Sequence, residues 1–191
     1  GFGIDKNRLE YTIYDVLIED YDINKIICKT EIENLDIIPA NIQLAGAEIE
    51  LTNTKYREKT LREKINLIEK NYDFIIIDCP PSLGLLSLNA LTASTSVLIP
   101  IQCEYYSLEG VGQLIDTVKL VRENLNPKLK IEGVLLNMFD GRTNLSIQVV
   151  EEVKKYFKDK VYRTVIPRSV RLAEAPSFGQ PIMLYDDNSK G

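Results

Sequence analysis

The acidic residue Asp78 stands where a carboxylate could do chemistry. It follows the apolar run Phe74 to Ile77 and precedes Pro80 and Pro81. An apolar strand that ends in an aspartate is typical of nucleoside-triphosphatases, in which the carboxylate holds Mg²⁺, usually through water, beside the β- and γ-phosphates. The prolines fix two φ angles and impose a defined turn beside the acid. A strand-terminating turn without a chemical role explains the same residues equally well.

Other kinds of site are excluded by what the sequence lacks. There is no histidine, which excludes a Ser-His-Asp triad and a His-ligated metal site. The three cysteines, Cys28, Cys79 and Cys103, form no CxxC pair, so they predict reduced thiols rather than a zinc site or a disulfide framework. Residues 1–191 contain no Gly-rich phosphate loop of the form GxxxxGKS or GxxxxGKT. Either the protein is not a nucleotide enzyme, or that loop lies upstream of residue 1.

The elements that must position Asp78 are inferred from alternating apolar strands and amphipathic helices. Strands are predicted at 35–39, 74–77, 96–101, 131–136 and 161–166, and helices at 41–51, 60–71, 107–125 and 144–158. Strands that are apolar almost throughout and alternate with helices predict the α/β class, with a mostly parallel sheet covered by helices on both faces. Right-handed crossovers then bring all strand carboxyl ends to one edge, where ligands bind.

That edge carries acids, amides and arginines, a set that suits a phosphorylated ligand, although a solvated rim carries similar residues. The positions after the predicted strands include Asp78, Gln102, Glu104, Tyr105, Tyr106, Asn137, Asp140, Arg142, Pro167, Arg168 and Arg171. Directly after a buried strand, tyrosines pack in a core or an interface more often than they stack on bases. Glu104 faces either a nucleotide or a second subunit, and both alternatives stay open.

The net charge of −5 does not favour a nucleic-acid binder, but the charge is unevenly spread. Residues 141–171 hold eight Lys and Arg against three Asp and Glu, which indicates a basic patch on an acidic body, or else a solvated helix face. No apolar run approaches the ~20 residues that cross a bilayer, and the first residues show no secretory signal. The composition therefore predicts a cytoplasmic globular protein of one domain.

Four segments resemble the ParA family of DNA-partitioning ATPases, in its chromosomal, Soj-type branch. They are YDFIIIDCPPSLGLLSLNAL, VLIPIQCEYYSLEGVGQL, GVLLNMFDGRTNLSIQVVEEV and TVIPRSVRLAEAPSFGQPI, and they occur in the family's order over essentially the whole chain. The resemblance implies that residues 1–191 are a single P-loop NTPase-like domain truncated at both ends, without the phosphate loop and the C-terminal helix. It further implies an ATP hydrolase in the complete protein and no turnover by these 191 residues alone.

The resemblance also implies a nucleotide site for ATP and Mg²⁺. Asp78 is similar to the family's Mg²⁺-organising acid, which acts through water, and Pro80 and Pro81 resemble residues that shape a loop sensing the γ-phosphate. Asn137 falls where related ATPases place an adenine-recognising asparagine. The segment that resembles the family's base-packing residues comprises Pro167, Arg168 and Ser169, and family members commonly carry Asn where this chain has Ser169.

Arg142 and Arg171 match the family positions required for non-specific DNA binding by an ATP-bound homodimer. Guanidinium forks suit phosphate pairs, and binding of this kind falls steeply with salt. Alternatively, the same arginines cap helices or pair with Asp140 and Glu174. The implied partners are DNA, a second copy of the chain and a ParB-type centromere-binding protein that stimulates hydrolysis, with a nucleoid-associated location and no membrane.

Three other functions stay open. A MinD-like cell-division ATPase binds membrane rather than DNA through a C-terminal amphipathic helix. A relative of the nitrogenase iron protein holds an iron–sulfur cluster between subunits, although Cys79 here follows the acid immediately rather than several residues later. An inactive ParA-type fragment would expose sheet edges and an apolar face, and it would aggregate or oligomerise.

Overall fold

The structure, a computed structural model, describes residues 2–5, 8–80, 82–104 and 107–189. Its backbone divides into two compact units. The N-terminal unit comprises residues 4–94 and 121–127, and the C-terminal unit comprises residues 1–3, 95–120 and 128–191. Asp78 and Pro80 lie in the N-terminal unit, whereas the residues predicted to pack on the base and to bind DNA lie in the C-terminal unit.

Strands alternate with helices from β3 to α7, whereas the first half of the chain is mostly helical. The strands are β1 (Cys28–Lys29), β2 (Asp36–Ile37), β3 (Ser96–Gln102), β4 (Lys130–Phe139) and β5 (Val161–Pro167). The α-helices are α1 (Ile13–Ile18), α2 (Leu44–Glu50), α3 (Thr60–Ile65), α4 (Leu85–Ala93), α5 (Ser107–Asn124), α6 (Asn144–Phe157), α7 (Val170–Glu174) and α8 (Ile182–Tyr185). The 3-10 helices are Ile23–Ile26, Leu51–Asn53, Glu69–Asn71, Lys158–Lys160 and Ala175–Phe178. None of the described helices has the length and apolar composition of a membrane-spanning segment.

The C-terminal unit is built on a three-stranded parallel sheet in the order β3-β4-β5. The predicted strands at 96–101, 131–136 and 161–166 are therefore confirmed, and so is the α/β class. Strands of a parallel sheet are apolar because crossover helices cover them. The core joins the strands to α6, and its buried members are Ile99, Ile101, Cys103, Val134, Leu136, Val149, Val153 and Phe157. Helix α6 begins after Thr143, whose hydroxyl accepts a hydrogen bond from the Ser146 N–H at 3.3 Å.

The N-terminal unit is mainly helical. Its buried core residues are Val16, Leu17, Ile23, Ile26, Leu61, Ile65, Ile68 and Ala93. Helix α1 begins with a capping box formed by Thr12 and Asp15. Asn89 of α4 is only 1% exposed, and it accepts a hydrogen bond from the Leu61 N–H at 3.1 Å while donating to the Arg57 carbonyl at 2.7 Å. A buried, hydrogen-bonded amide thus joins α4 to the first turn of α3.

The strand predicted at 35–39 is present at Asp36–Ile37, but it pairs antiparallel in a separate two-stranded sheet, so its expected place in the parallel sheet is wrong. Strand β2 pairs with β1, with Cys28 opposite Ile37 and Lys29 opposite Asp36. Only residues 30–35 connect the two strands. A connection this short can join antiparallel neighbours, whereas a parallel pair needs a crossover of a dozen or more residues.

The prediction of a strand at 74–77 is wrong, because residues 74–80 form neither strand nor helix. Phe74 is 86% exposed and Ile76 is 91% exposed. A β-strand exists only through hydrogen bonds to a neighbouring strand, and within the described chain no backbone group pairs with residues 74–76. In this structure Asp78 therefore follows an irregular apolar segment, named here the Phe74–Ile77 segment, in which Phe74 and Ile76 are exposed and Ile77 packs against the N-terminal core, rather than a buried strand.

Candidate functional site

The carboxyl ends of β3, β4 and β5 lie side by side, as the sequence predicts. Gln102 of β3 is opposite Asn137 of β4, and Phe139 is opposite Pro167 of β5. The pairing continues past β3, where the Cys103 N–H donates to the Asn137 carbonyl at 3.0 Å. We name residues 102–104, 137–143 and 167–171, which follow or end these strands, the carboxyl edge. Six predicted site residues lie in it: Asn137, Arg142, Pro167, Arg168, Ser169 and Arg171.

Asn137 lies where β4 becomes irregular. The next residue, Met138, has a φ of 52°, in the left-handed region that side chains disfavour, and the register with β5 shifts between Leu136 and Phe139. The Asn137 Oδ1 accepts a hydrogen bond from the Met138 N–H at 2.8 Å, which fixes the amide plane. Because the amide nitrogen donates to no described residue, its two N–H groups stay available to a ligand.

Arg168 and Glu104 connect the loops after β5 and β3. The Arg168 Nη2 donates to Glu104 Oε1 at 2.5 Å, and the Arg168 backbone N–H donates to the Phe139 carbonyl at 3.0 Å. The two bonds tie together the ends of three strands, so Glu104 has a partner within its own chain. Ser169 occupies the position before α7, and its hydroxyl makes no capping hydrogen bond.

Arg142 lies in the loop between β4 and α6, where Asp140 binds its guanidinium. Its Nε donates to Asp140 Oδ1 at 2.8 Å and its Nη2 donates to Oδ2 at 2.7 Å. The Arg142 backbone N–H also donates to Oδ1, at 3.1 Å. These hydrogen bonds lower the pKa of Asp140 to about 2, so the carboxylate stays charged throughout the neutral range. The alternative in which Arg142 pairs with Asp140 is confirmed.

Arg171, in α7, has two carboxylate partners. Its Nη1 donates to Glu174 Oε2 at 3.1 Å, and its Nε lies 3.5 Å from Asp186 Oδ2. Hydrogen bonding to Glu174 and then to Tyr185 raises the pKa of Arg171 above its usual value. The alternative pairing with Glu174 is thus confirmed, and Asp186 is a further partner that the sequence did not indicate. No local spacing links Asp186 to Arg171, because the chain between them folds back through α8.

Asp78 and Pro80 are exposed residues of the N-terminal unit. Shortly after them, α4 begins at Leu85, and the Glu48 carboxylate accepts a hydrogen bond from the Leu86 N–H at 3.3 Å. Glu48 therefore occupies the positive end of that helix, a contact that sequence reasoning missed. Three residues singled out from the sequence lie outside the described residues: Pro81, Tyr105 and Tyr106.

The carboxylate of Asp78 suits a magnesium ion whose other ligands are water molecules and the phosphates of a nucleotide. Among the described residues, no three Cys, Asp or Glu side chains come together in a group that could hold a metal ion. Magnesium keeps several waters and is bound in proteins through one or two carboxylates plus the phosphates of a ligand. One exposed aspartate is therefore suitable for a magnesium–nucleotide complex and unsuitable as a metal site by itself.

Comparison with known sequences gives consistent matches. A protein family described as "AAA domain" matches residues 1–131. The sporulation initiation inhibitor protein Soj of Bacillus subtilis (strain 168) is 64% identical over all 191 residues, which cover 76% of that protein. The chromosome partitioning protein ParA of Myxococcus xanthus (strain DK1622) is 54% identical over 191 residues, which cover 68% of its length.

Solved structures share the fold. A Mycobacterium smegmatis protein described as cobyrinic acid a,c-diamide synthase, with bound ADP and magnesium, is 38% identical, with a TM-score of 0.81 over 88% of this chain and 68% of that chain. The septum site-determining protein MinD of Pyrococcus horikoshii OT3, complexed with Mg-ADP, is 26% identical, with a TM-score of 0.75 over 100% of this chain and 71% of that chain. Both similarities extend over most or all of the 191 residues.

Proposed function

Because the chain belongs to the ParA/Soj family of chromosome-partitioning ATPases, we propose that it is the ATP-dependent switch of a DNA-partitioning system. Two ATP-bound copies pair, and the dimer binds DNA without sequence preference in the nucleoid. A ParB-type protein bound at a centromere-like site stimulates hydrolysis and releases the DNA. The observation that carries this proposal is the 64% identity to Soj over all 191 residues.

In this proposal Asp78 holds water molecules of a nucleotide-bound Mg²⁺. Its exposed carboxylate supports the role, because magnesium gives up its waters reluctantly and needs few protein ligands. The bound ion would neutralise charge on the β- and γ-phosphates. Pro80 and Pro81 follow Cys79 and each fix one φ angle, which supports their role in shaping the loop that senses the γ-phosphate.

The carboxyl edge supplies the residues that bind the adenine base of ATP. The free amide N–H groups of Asn137 can donate to ring nitrogens of adenine, and the Met138 N–H holds the amide plane for that purpose. Pro167, Arg168 and Ser169 form the surface against which the base packs. Since the Arg168 guanidinium is bound by Glu104, its contribution to packing comes from the aliphatic stem.

Arg142 and Arg171 contact the DNA backbone in this proposal. Their side chains are 89% and 58% exposed, and both residues follow neighbouring strands, Arg142 in the loop after β4 and Arg171 in α7 after β5. A dimer would double the number of arginines that face DNA. Binding through phosphates releases counterions, so the affinity should fall linearly on a logarithmic scale as salt rises.

A first experiment separates the role of Asp78 from that of its neighbours. Protein produced from the complete coding sequence is titrated with ATP and Mg²⁺, and binding to a random-sequence DNA duplex is followed by fluorescence anisotropy. We expect Asp78→Ala to reduce the ATP-dependent increase in DNA affinity by about tenfold or more, since the magnesium–phosphate geometry is lost. Asp73→Ala, an exposed acid before the same apolar segment, is the matched control and should behave as the parent does. Equal behaviour of the two variants would contradict the assignment.

The second experiment distinguishes DNA from membrane as the target. Arg142→Gln and Arg171→Gln should each weaken DNA binding and lower the salt slope by roughly one, with ATP hydrolysis retained. A MinD-like function has less support, because the MinD structure is 26% identical whereas Soj is 64% identical. ATP-dependent binding to anionic lipid vesicles, with no binding to DNA, would replace the partitioning proposal with the MinD-like one.

A further inference from the structure

The two arginines proposed to contact DNA are not free cations in this structure. Arg142 is held by Asp140 through two parallel side-chain hydrogen bonds, at 2.8 and 2.7 Å. The Arg142 side chain is 89% exposed, whereas that of Asp140 is 21% exposed, so the acid lies deeper in the loop than the arginine. At neutral pH the carboxylate is charged, and the pair contributes no net charge to the surface.

The positive charge of Arg171 is compensated more fully than that of Arg142. Glu174 and Asp186 both contact its guanidinium, at 3.1 and 3.5 Å, and the Tyr185 hydroxyl donates to the Glu174 carboxylate at 3.3 Å. Two arginines of the carboxyl edge are therefore paired with three carboxylates. The sequence shows an excess of basic residues at 141–171, but Arg142 and Arg171 do not give a free positive surface. The acids that pair with them lie outside that range: Asp140 stands just before it, and Glu174 and Asp186 stand after it.

Resting on the proposed function, we infer that Asp140, Glu174 and Asp186 restrain the affinity of the DNA-binding surface by competing with phosphate for Arg142 and Arg171. A carboxylate and a phosphodiester both present two oxygen acceptors to a guanidinium fork. A phosphate that takes the Nε–Nη2 edge of Arg142 must displace Asp140. A phosphate that takes the opposite edge is repelled by the charge of Asp140 a few ångströms away. In either geometry the acid weakens binding.

The restraint is adjustable because all three ion pairs involve exposed arginine side chains. Exposed pairs contribute little to stability, so an arriving polyanion can displace them, and their removal does not unfold the protein. The acids would thus keep a single copy of the chain on DNA only weakly. Stable binding would need the doubled set of arginines in a dimer, which makes the affinity depend more strongly on the nucleotide state.

The decisive variant is Asp140→Asn, which removes the charge and keeps an oxygen for the Arg142 backbone N–H. It is made in the protein from the complete coding sequence, and its binding to a random-sequence DNA duplex is measured with ATP and Mg²⁺. We expect the affinity to rise about threefold to tenfold. Glu151→Gln is the matched control, because it makes the same change in charge at an exposed position of α6, away from the loop that holds Arg142. The rise must exceed that of the control.

A double-mutant cycle shows whether the effect passes through the arginine. In an Arg142→Gln background, Asp140→Asn should raise the affinity no more than Glu151→Gln does. Asp186→Asn provides an independent second variant, which should act through Arg171 and lose its effect in Arg171→Gln. Circular dichroism melts of all variants establish that each is folded.

The outcomes separate this inference from the proposed function. If Arg142→Gln and Arg171→Gln leave DNA binding unchanged, the arginines are not DNA contacts and the proposed role itself fails. If both weaken binding while Asp140→Asn and Asp186→Asn raise affinity no more than the control, the restraint is overturned and the DNA role stands. A fall in affinity on removing either acid would show that the carboxylates orient the arginines for phosphate, which also overturns the restraint.

Discussion

Residues 75–77 of the N-terminal unit and residues 134–136 of the C-terminal unit are equally apolar, Ile-Ile-Ile and Val-Leu-Leu, yet the structure treats them in opposite ways. Val134 and Leu136 are fully buried in β4, which has a strand on each side. Ile76 is almost fully exposed, and its backbone has no hydrogen-bonded neighbour among the described residues. An apolar run becomes a strand only where other strands satisfy its backbone.

The energetic difference between the two runs is large. Burying one Ile or Leu side chain is worth about 1.5–3 kcal/mol, so β4 gains from each of its inward residues. In the Phe74–Ile77 segment only Ile77 packs against a core, whereas Phe74 and Ile76 leave their side chains exposed and their backbone donors and acceptors without partners in the described chain. A surface of that kind favours pairing with other chains.

Hydrogen exchange should show the largest contrast between the two runs. The amides of residues 75–77 have no partner in the described chain and should exchange near the rate of an unstructured peptide, whereas the Val134 and Leu136 amides lie in a paired central strand. We expect the rates to differ on the order of a thousandfold or more, measured by mass spectrometry or NMR. Comparable protection at Ile76 and Val134 would show that the Phe74–Ile77 segment is paired in solution.

Truncation of side chains should show the next largest effect. Leu136→Ala removes a fully buried side chain of the sheet and should lower the free energy of unfolding of the C-terminal unit by about 2–5 kcal/mol. Ile76→Ala is the matched change at an exposed position and should alter stability by less than about 0.5 kcal/mol. Urea unfolding followed by circular dichroism measures both. If Ile76→Ala lowers the free energy of unfolding nearly as much as Leu136→Ala does, the Phe74–Ile77 segment is buried under the conditions used.

A smaller effect is expected inside the N-terminal unit, where a polar residue joins two helices. Asn89→Ala leaves the Leu61 N–H and the Arg57 carbonyl without their partner and should cost about 1–3 kcal/mol in the same unfolding measurement. Asn53→Ala, at an exposed position of the same unit, should cost much less. If both substitutions cost the same, the buried amide does not hold α3 and α4 together.

The sequence predicted the C-terminal unit well for a physical reason. Each of its strands is an apolar run followed or preceded by a long amphipathic helix, and both patterns are local. The pairing of Arg142 with Asp140 is also local, since the two residues stand two positions apart. By contrast, the contacts of Glu104 with Arg168 and of Asp186 with Arg171 join residues far apart in the chain, and no spacing rule reaches that distance.

By itself the sequence determined the α/β class, the alignment of strand ends along the carboxyl edge and, through its resemblance to relatives, the family. Tertiary structure alone decided that the run at 74–77 does not become a strand and that Glu104 and Asp186 pair with Arg168 and Arg171. The reason is the same in both cases. Backbone groups and charges must be satisfied by partners, and those partners come from distant parts of the chain, where only the folded arrangement places them.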